Sequence, residues 1–454
     1  MIALNNKLRV LYAAIAVFIV IKSYIALQPH AVLWDEAVYY GMGKFIYSFG
    51  SSGLWESIRP IGLPIILGAI WKLGLPAIAS EILMALFAGA SALLTYLIAK
   101  ILFNNRVGLL AGILFLSSPL LLQQSSLFLT EIPSTFFALL SLYLVVSNKL
   151  ALSSLAAGVA VMFKFPHAML LAILLIIPVV EWLKINKHSA TIKKALMLIL
   201  PFSFVVGLFL VGNYIAYADS ATDILASVEP LQLAFGHTSN PAQTVDGVVS
   251  NALFYIIAML KQNIFYAFLP LGLFVAFKLK NNVRVKMLLS YFAVYLLFFT
   301  LIANKQERFM LLFFPIAAIF AAVGIYHILL LNVGTTKMGL ALTGVLLFMA
   351  TFASISILDE DIRYINERSN EILPFYDLPQ GTILASEPHA AYYTDERVIP
   401  YYFSTADGEE GIKKAMGRYE KHKEGFIIHN NDDFYCQNQD TFCMKQFEII
   451  SAQK

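Results

Sequence analysis

An all-α polytopic membrane protein of about eleven transmembrane helices, followed by a small exterior α/β domain, is the fold class predicted for this chain of 454 residues. Three observations predict it. The sequence is 59% hydrophobic and only 13% charged, with a mean hydropathy of +0.72, which is more apolar surface than one aqueous core hides. The apolar residues fall in runs of roughly 17 to 25, the length that crosses a hydrocarbon layer. The charge changes sign along the chain: residues 1–357 carry 22 Lys or Arg against 11 Asp or Glu, whereas 358–454 carry 10 against 18. A basic membrane body, 1–357, is thus joined to an acidic soluble domain, 358–454. The net charge of +3 averages two unlike regions and gives no ground for a nucleic-acid partner.

Spans are expected near 10–27, 77–99, 107–123, 132–147, 150–163, 167–183, 195–217, 251–277, 287–303, 309–331 and 338–357. The first follows Lys7 and Arg9 as a secretory signal would, but no A-x-A-like site comes after it, so it reads as an uncleaved span. Ile61 to Leu75 is short and carries Lys72, and it is expected to lie along the membrane surface. That choice fixes the parity of every later span. With the N-terminus inside, the inner loops collect Lys100, Arg106, Lys149, Lys193, Lys194 and Arg284, with Glu181 as the acid near that face, as the positive-inside rule requires. The N-terminus is therefore expected in the cytoplasm and the C-terminal domain on the exoplasmic face. Both cysteines, Cys436 and Cys443, lie in that domain, where an oxidising exterior would let them close a small loop; two free thiols are the alternative.

The exterior turns carry the chemistry. The first loop opens with LWDEAVYYGMGKFIYSFG, whose helical spacing predicts a surface helix that presents Asp35 and Glu36 at the mouth of the membrane body. A purely structural reading makes Asp35 the helix cap and Glu36 a favourable charge in its first turn. Arg59 precedes Pro60 later in the same loop. Glu131 stands alone in SSLFLTEIPSTFF, where a charge near hydrocarbon costs about 2.5–3.5 kcal/mol unless hydrated or paired. Thr130 as a cap and Pro133 in the first turn give that position a structural account as well. Lys164 in VMFKFPHAMLL reads by default as a snorkelling lysine. NKQERFMLLFFP sets Lys305, Glu307 and Arg308 at the start of a long apolar helix, where cations oppose the helix dipole and call for an anionic partner. That partner is either a carboxylate of the chain or a phosphate, which the planar fork of Arg matches.

In this order, an acidic pair after the first span, an R-P turn, a T-[DE]-x-P turn, a K-x-P turn and a late K-x-x-R-F, the residues resemble the GT-C glycosyltransferases. These include protein O-mannosyltransferases, lipid A aminoarabinose transferases and GPI mannosyltransferases. The resemblance covers roughly residues 10 to 357. It implies the GT-C fold, a sugar donor linked to a polyprenyl phosphate or pyrophosphate, and transfer with inversion on the exoplasmic face. By the same resemblance Asp35 matches the first-loop acid that acts as base, with Glu36 beside it, and Glu131 matches the second-loop acid. Arg59-Pro60 is similar to the K/R-P-P turn of the aminoarabinose transferases, with Ile61 in place of the second Pro. Asn304 to Phe309 resembles the HKExRF motif of GPI mannosyltransferases but has Asn304 for its His and Gln306 for its Glu. The WWD signature of oligosaccharyltransferases is absent.

The residue inventory suits such chemistry. A lipid phosphate leaves without a strong acid, so one carboxylate to deprotonate an acceptor hydroxyl and cations to steady the departing phosphate suffice. Asp35 is expected to be the base, Arg308 and Lys305 to hold the phosphate, and Glu131 to orient the acceptor or a cation, with Arg59 and Lys164 as further substrate-binding candidates. The carboxylates and a phosphate can together hold a divalent cation; no His/Cys cluster accompanies them, and no residue is assigned to a metal. The partners implied are a polyprenyl- or dolichyl-phosphate sugar donor, a protein, lipid or glycan acceptor, and the bilayer. All these turns are expected to meet in one non-cytosolic cavity. The loop from about Ala218 to Ser250 reads as a lid or a solvated connector, and the domain from Leu358 as two short strands, GTILASEP and GFIIHNNDDF, with a helix over EEGIKKAMGRYEKHKE. A lipid flippase or transporter is the rival class. It predicts repeated halves with charges at mid-membrane, whereas here the charges gather at one face.

Overall fold

The computed structural model describes residues 6–27, 32–56, 58–184, 188–217, 245–279, 282–302, 305–332, 381–385, 387–400 and 427–429. The expected span near 338–357, residues 218–244 of the exterior loop, Asn304, the expected helix over 409–424, and Cys436 and Cys443 lie outside the described residues.

In chain order the helices are α1 (Asn6–Ala26), α2 (Trp34–Tyr47), α3 (Gly62–Lys72), α4 (Ile78–Leu102), α5 (Asn105–Leu116), α6 (Pro119–Gln124), α7 (Glu131–Val146) and α8 (Leu150–Phe163). They continue as α9 (Met169–Leu174), α10 (Ile176–Lys184), α11 (His188–Tyr217), α12 (Val245–Gln262), α13 (Leu269–Lys278), α14 (Val283–Leu301), α15 (Phe314–Asn332) and the short α16 (His389–Tyr393). Among the described residues, five segments are long and apolar enough to cross a bilayer: Leu8–Ala26, Ile78–Leu102, Phe165–Leu183, Ser189–Gly212 and Val283–Leu301. The chain is a multi-pass membrane protein.

Several expected spans are broken where a side chain caps the backbone. The span expected over 107–123 stops at Ser117, and a new helix starts where Ser118 Oγ accepts the Leu121 N–H (3.2 Å) with Pro119 at its first position. The span expected over 251–277 breaks at Asn263, whose side chain accepts from Phe265 N (3.0 Å) and starts a 3-10 turn, Ile264–Phe268. That helix also begins earlier than expected, at Val245, inside the segment read as a loop. The helix expected from 309 begins at Phe314, after a 3-10 helix over Glu307–Leu312. Arg308 therefore sits in the 3-10 turn rather than on an α-helix N-terminus, so it is not placed against an α-helix dipole as expected from sequence.

The chain divides into two compact units: Met1–Leu27 with Glu81–Asp361, and Gln28–Ser80 with Ile362–Lys454. The sequence boundary at 357/358 follows the chain, whereas packing also gathers residues 28–80 with the C-terminal segment. Composition along a chain does not register an association between segments some 350 residues apart.

The first unit is a helix bundle in which α7 packs on α8, α8 on α11, and α15 on α5 and α13. Pro201 lies inside α11. A proline disrupts the hydrogen-bond ladder around it, and here Ser154 of α8 restores the connection, donating to Leu198 O and accepting from Phe202 N (3.0 Å). α7 carries a polar contact at each of its ends. Glu131 stands at its start, and Asn148, just past its end, accepts from Arg284 Nη2 (2.6 Å). Sixteen residues of α-helix separate them by roughly 24 Å at about 1.5 Å per residue.

In the second unit α2 crosses α3, an eleven-residue helix of roughly 17 Å, too short to span. The crossing is close because glycines face each other: a Cβ on Gly43 would lie 2.6 Å from Gly68 N and 2.8 Å from Pro64 O. The expected strand segments appear in a three-stranded parallel sheet, β1 (Ile383–Ala385) at the centre between β2 (Val398–Pro400) and β3 (Ile427–His429). Lys44 of α2, 3% exposed, is buried because the C-terminal segment satisfies it. Its ammonium donates to Tyr392 O (2.9 Å) and Thr394 O (2.7 Å) and lies 3.1 Å from Asp395. Burial lowers the Lys44 pKa from its usual value by more than Asp395 raises it. Lys44→Met leaves two carbonyls unmatched and is expected to destabilise this unit by about 1–3 kcal/mol, read as a lowered midpoint in thermal unfolding.

Candidate active site

The charged residues singled out from sequence fall into two groups, one in each unit. In the second unit, Asp35 is the second residue of α2, and Arg59 Nη2 meets its carboxylate at 2.8 Å. Arg59 Nε binds Glu56 at 2.9 Å, and its guanidinium carbon lies 5.4 Å from the centre of the Tyr39 ring. Asp35 and Tyr39 are four residues apart and so share one helix face, and Arg59 covers that face. Burial would lower the Arg59 pKa, but Tyr39, Glu56 and Asp35 together hold it well above its usual value. The pairing fixes the Asp35 carboxylate in orientation while leaving the side chain 19% exposed.

Glu36 has a local task. It is 1% exposed, and its Oε2 accepts the Leu33 N–H at 2.8 Å, half of a capping box that sets the start of α2. The cap role is therefore filled by Glu36 and not by Asp35, as one sequence reading had it.

In the first unit three residues from distant turns converge. Glu131 opens α7 and is 2% exposed. Lys164, in the extended break after α8, places Nζ 2.6 Å from Glu131 Oε1, so it is an ion-pair partner rather than a snorkelling lysine. Arg308 Nε lies 3.6 Å from the same oxygen and 2.5 Å from Gln306 Oε1. The Phe309 ring lies beneath both cations, 4.8 Å from Lys164 Nζ and 5.8 Å from Arg308 Cζ. Thr130 stands at the α7 cap without a side-chain cap bond. Lys305 is exposed and bonds Ser250 Oγ at 3.2 Å, apart from the Glu131 cluster. Glu307 faces Lys261 at 3.8 Å, an exposed pair of little energetic weight.

One nearly buried carboxylate thus stands between two cations whose side chains remain 16% and 25% exposed. The three side chains together carry one formal positive charge. Removing the carboxylate strands the cations, so Glu131→Ala is expected to destabilise the first unit by about 3 kcal/mol. Thermal unfolding in detergent checks this, with Glu131→Gln as the milder comparison. Among the described residues, no group of three or more His, Cys, Asp or Glu side chains is placed to hold a metal.

Residues 59–207 match the profile of a family described as dolichyl-phosphate-mannose-protein mannosyltransferase. The fold resembles ArnT of Cupriavidus metallidurans bound to undecaprenyl phosphate, with a TM-score of 0.70 at 10% identity over 91% of this chain and 89% of that one. The fold is that of the GT-C glycosyltransferases. The apo state of the same ArnT gives a TM-score of 0.65 at 11% identity, over 95% and 91% of the two chains. The apo Archaeoglobus fulgidus oligosaccharyltransferase gives 0.52 at 11% identity, over 90% of this chain and 68% of that one. No curated protein matches in sequence. The GT-C resemblance read from the charged turns is thus met by the fold and the family profile alike. At identities near 10% the likeness extends to the GT-C fold and not to substrates.

Sequence reasoning missed Glu56, the second carboxylate on Arg59. Its signal was present as an acid three residues before a base in ESIRP. It also missed Thr135, His167, Tyr291 and Tyr295, whose apolar surroundings gave no signal beyond ordinary helix interior.

Proposed function

We propose that the protein is an inverting glycosyltransferase that moves a sugar from a polyprenyl-phosphate or polyprenyl-pyrophosphate donor to an acceptor hydroxyl on the exoplasmic face. The observation that carries this reading is the Lys164–Glu131–Arg308 cluster at the start of α7. Two cations over an aromatic ring suit a phosphate that gains charge as the sugar departs, and Arg adds a planar pair of donors. Asp35 takes the proton of the acceptor hydroxyl. The acceptor oxygen bonds to the anomeric carbon as the bond to the phosphate oxygen breaks, and the electron pair leaves with the lipid phosphate. A single displacement of this kind inverts the anomeric centre. Glu131 orients its cations, Arg59 orients Asp35, and Lys305 meets the donor from the exposed side. Glu36 acts through the geometry of α2. A divalent cation at the phosphate is compatible with this scheme and is tested by adding chelator to the assay.

The protein, lipid or glycan nature of the acceptor sets the assay. Purified protein is mixed with labelled polyprenyl-phosphate sugars and each acceptor class in turn, and product with a new glycosidic bond is the expected result. The flippase reading predicts labelled lipid crossing the bilayer with no such product. For orientation, a reporter on the N-terminus is expected to be accessible from the cytoplasm and one on the C-terminus from the exoplasmic side.

A further inference from the structure

We infer that a buried string of side chains, His167–Tyr295–Tyr291, joined by a hydrogen bond and a ring stack, together with Thr135, positions the two cations of the candidate phosphate site; the inference rests on the reading of that site given above. Both cations stand outside regular α-helix. Lys164 lies in an extended break, and Arg308 lies in the 3-10 helix Glu307–Leu312. The last carbonyls of a helix have no partner within it, so something must hold this turn in place.

Two side chains do so. Thr135 Oγ1 donates to Leu311 O at 3.2 Å, and Tyr291 Oη donates to Leu312 O at 2.7 Å. Thr135 is four residues after Glu131, on the same face of α7. The 3-10 helix is therefore docked on α7 by two rungs, the Glu131–Arg308 pair and the Thr135–Leu311 bond. From Tyr291 the string continues through α14. Its ring stacks on Tyr295 at 4.3 Å, and Tyr295 Oη meets His167 Nδ1 at 2.7 Å. His167 is three residues past Lys164, and its N–H closes the turn onto Lys164 O at 3.1 Å.

Only the Leu312 end of the string has a fixed polarity. A carbonyl only accepts, so Tyr291 spends its proton on Leu312 O. Tyr295 Oη and His167 Nδ1 share the other hydrogen bond. The fully buried His167 Nε2 has no partner among the described residues. All three side chains are at most 1% exposed, where hydrogen bonds are strong and a half-satisfied network is costly. The string thus ties the Lys164 turn to the Arg308 turn through one rigid helix, and these four are positioning residues, none of them touching substrate.

A double-mutant cycle separates this role from general stability. Binding of radiolabelled undecaprenyl phosphate to the purified full chain is measured for the parent, Tyr291→Phe, Arg308→Ala and the double variant, with Thr135→Val as a near-isosteric second probe and Thr135→Ser as its rescue. Positioning through Arg308 predicts about tenfold weaker binding in Tyr291→Phe and Thr135→Val, restoration in Thr135→Ser, and a double variant no weaker than Arg308→Ala alone. Unchanged affinity in both single tether variants, or effects that multiply in the double variant, overturns the positioning role. Parent-like binding by Arg308→Ala instead removes the phosphate reading of the site, and the inference with it.

Discussion

Asp35→Asn abolishes glycosyl transfer while leaving donor binding intact: kcat falls by about 100- to 10,000-fold, the range a general base contributes. Asparagine keeps the shape of the side chain and an acceptor oxygen for Arg59, now held at 2.8 Å by the carboxylate, so α2 and the Glu56–Arg59 pair are retained. The charge that receives the proton is lost. Glu56→Gln is the informative partner, because Glu56 binds the other side of the same guanidinium at 2.9 Å and is nearly buried. If Asp35 is the base and Arg59 its holder, Glu56→Gln lowers kcat far less than Asp35→Asn. Equal losses in the two variants would mean that the ion-pair cluster, rather than one proton acceptor, is what transfer requires.

Arg308→Ala gives the second large effect, a loss of about 100- to 1,000-fold in kcat/KM, as expected when a donor aimed at developing charge is removed. Unlike Asp35→Asn it also weakens binding of the lipid phosphate, since the ground-state donor already carries negative charge. Arg308→Lys recovers only part of the loss: the ammonium supplies charge but lacks the planar fork and the Nε that reaches Glu131 at 3.6 Å and Gln306 at 2.5 Å. Lys164→Ala is expected to act in the same direction, because Lys164 shares the Glu131 oxygen at 2.6 Å. A phosphate titration of the binding step separates these variants from Asp35→Asn by affinity alone.

Much of this was legible in the sequence, for definite reasons. Apolar runs of span length survive any detail of packing, so α1, α4, α7, α8, α11 and α14 lie close to where hydropathy puts them. Isolated charges in apolar turns are costly unless paired, which is why Glu131, Lys164 and Arg308 could be singled out before their contacts were known. The breaks at Ser118 and Asn263 were harder to read, because a polar residue inside an apolar run interrupts a helix only when its side chain takes backbone N–H groups, and hydropathy does not record that choice. The joining of residues 28–80 with the C-terminal segment was not legible at all. It rests on contacts such as Lys44 with the Tyr392 and Thr394 carbonyls, which have no signature at either position. The tethers on the Arg308 turn escaped notice for a related reason: a tyrosine inside an apolar helix looks the same whether its hydroxyl is idle or holds a distant carbonyl.

The most direct test is to reconstitute the purified chain in vesicles with a radiolabelled polyprenyl-phosphate sugar and an acceptor, and to ask whether a new glycosidic bond forms and with which anomeric configuration. The account predicts product of inverted configuration from the parent chain and none from Asp35→Asn, which still binds the donor. Movement of intact labelled lipid across the bilayer without any glycosidic product, or undiminished transfer by Asp35→Asn, would contradict it.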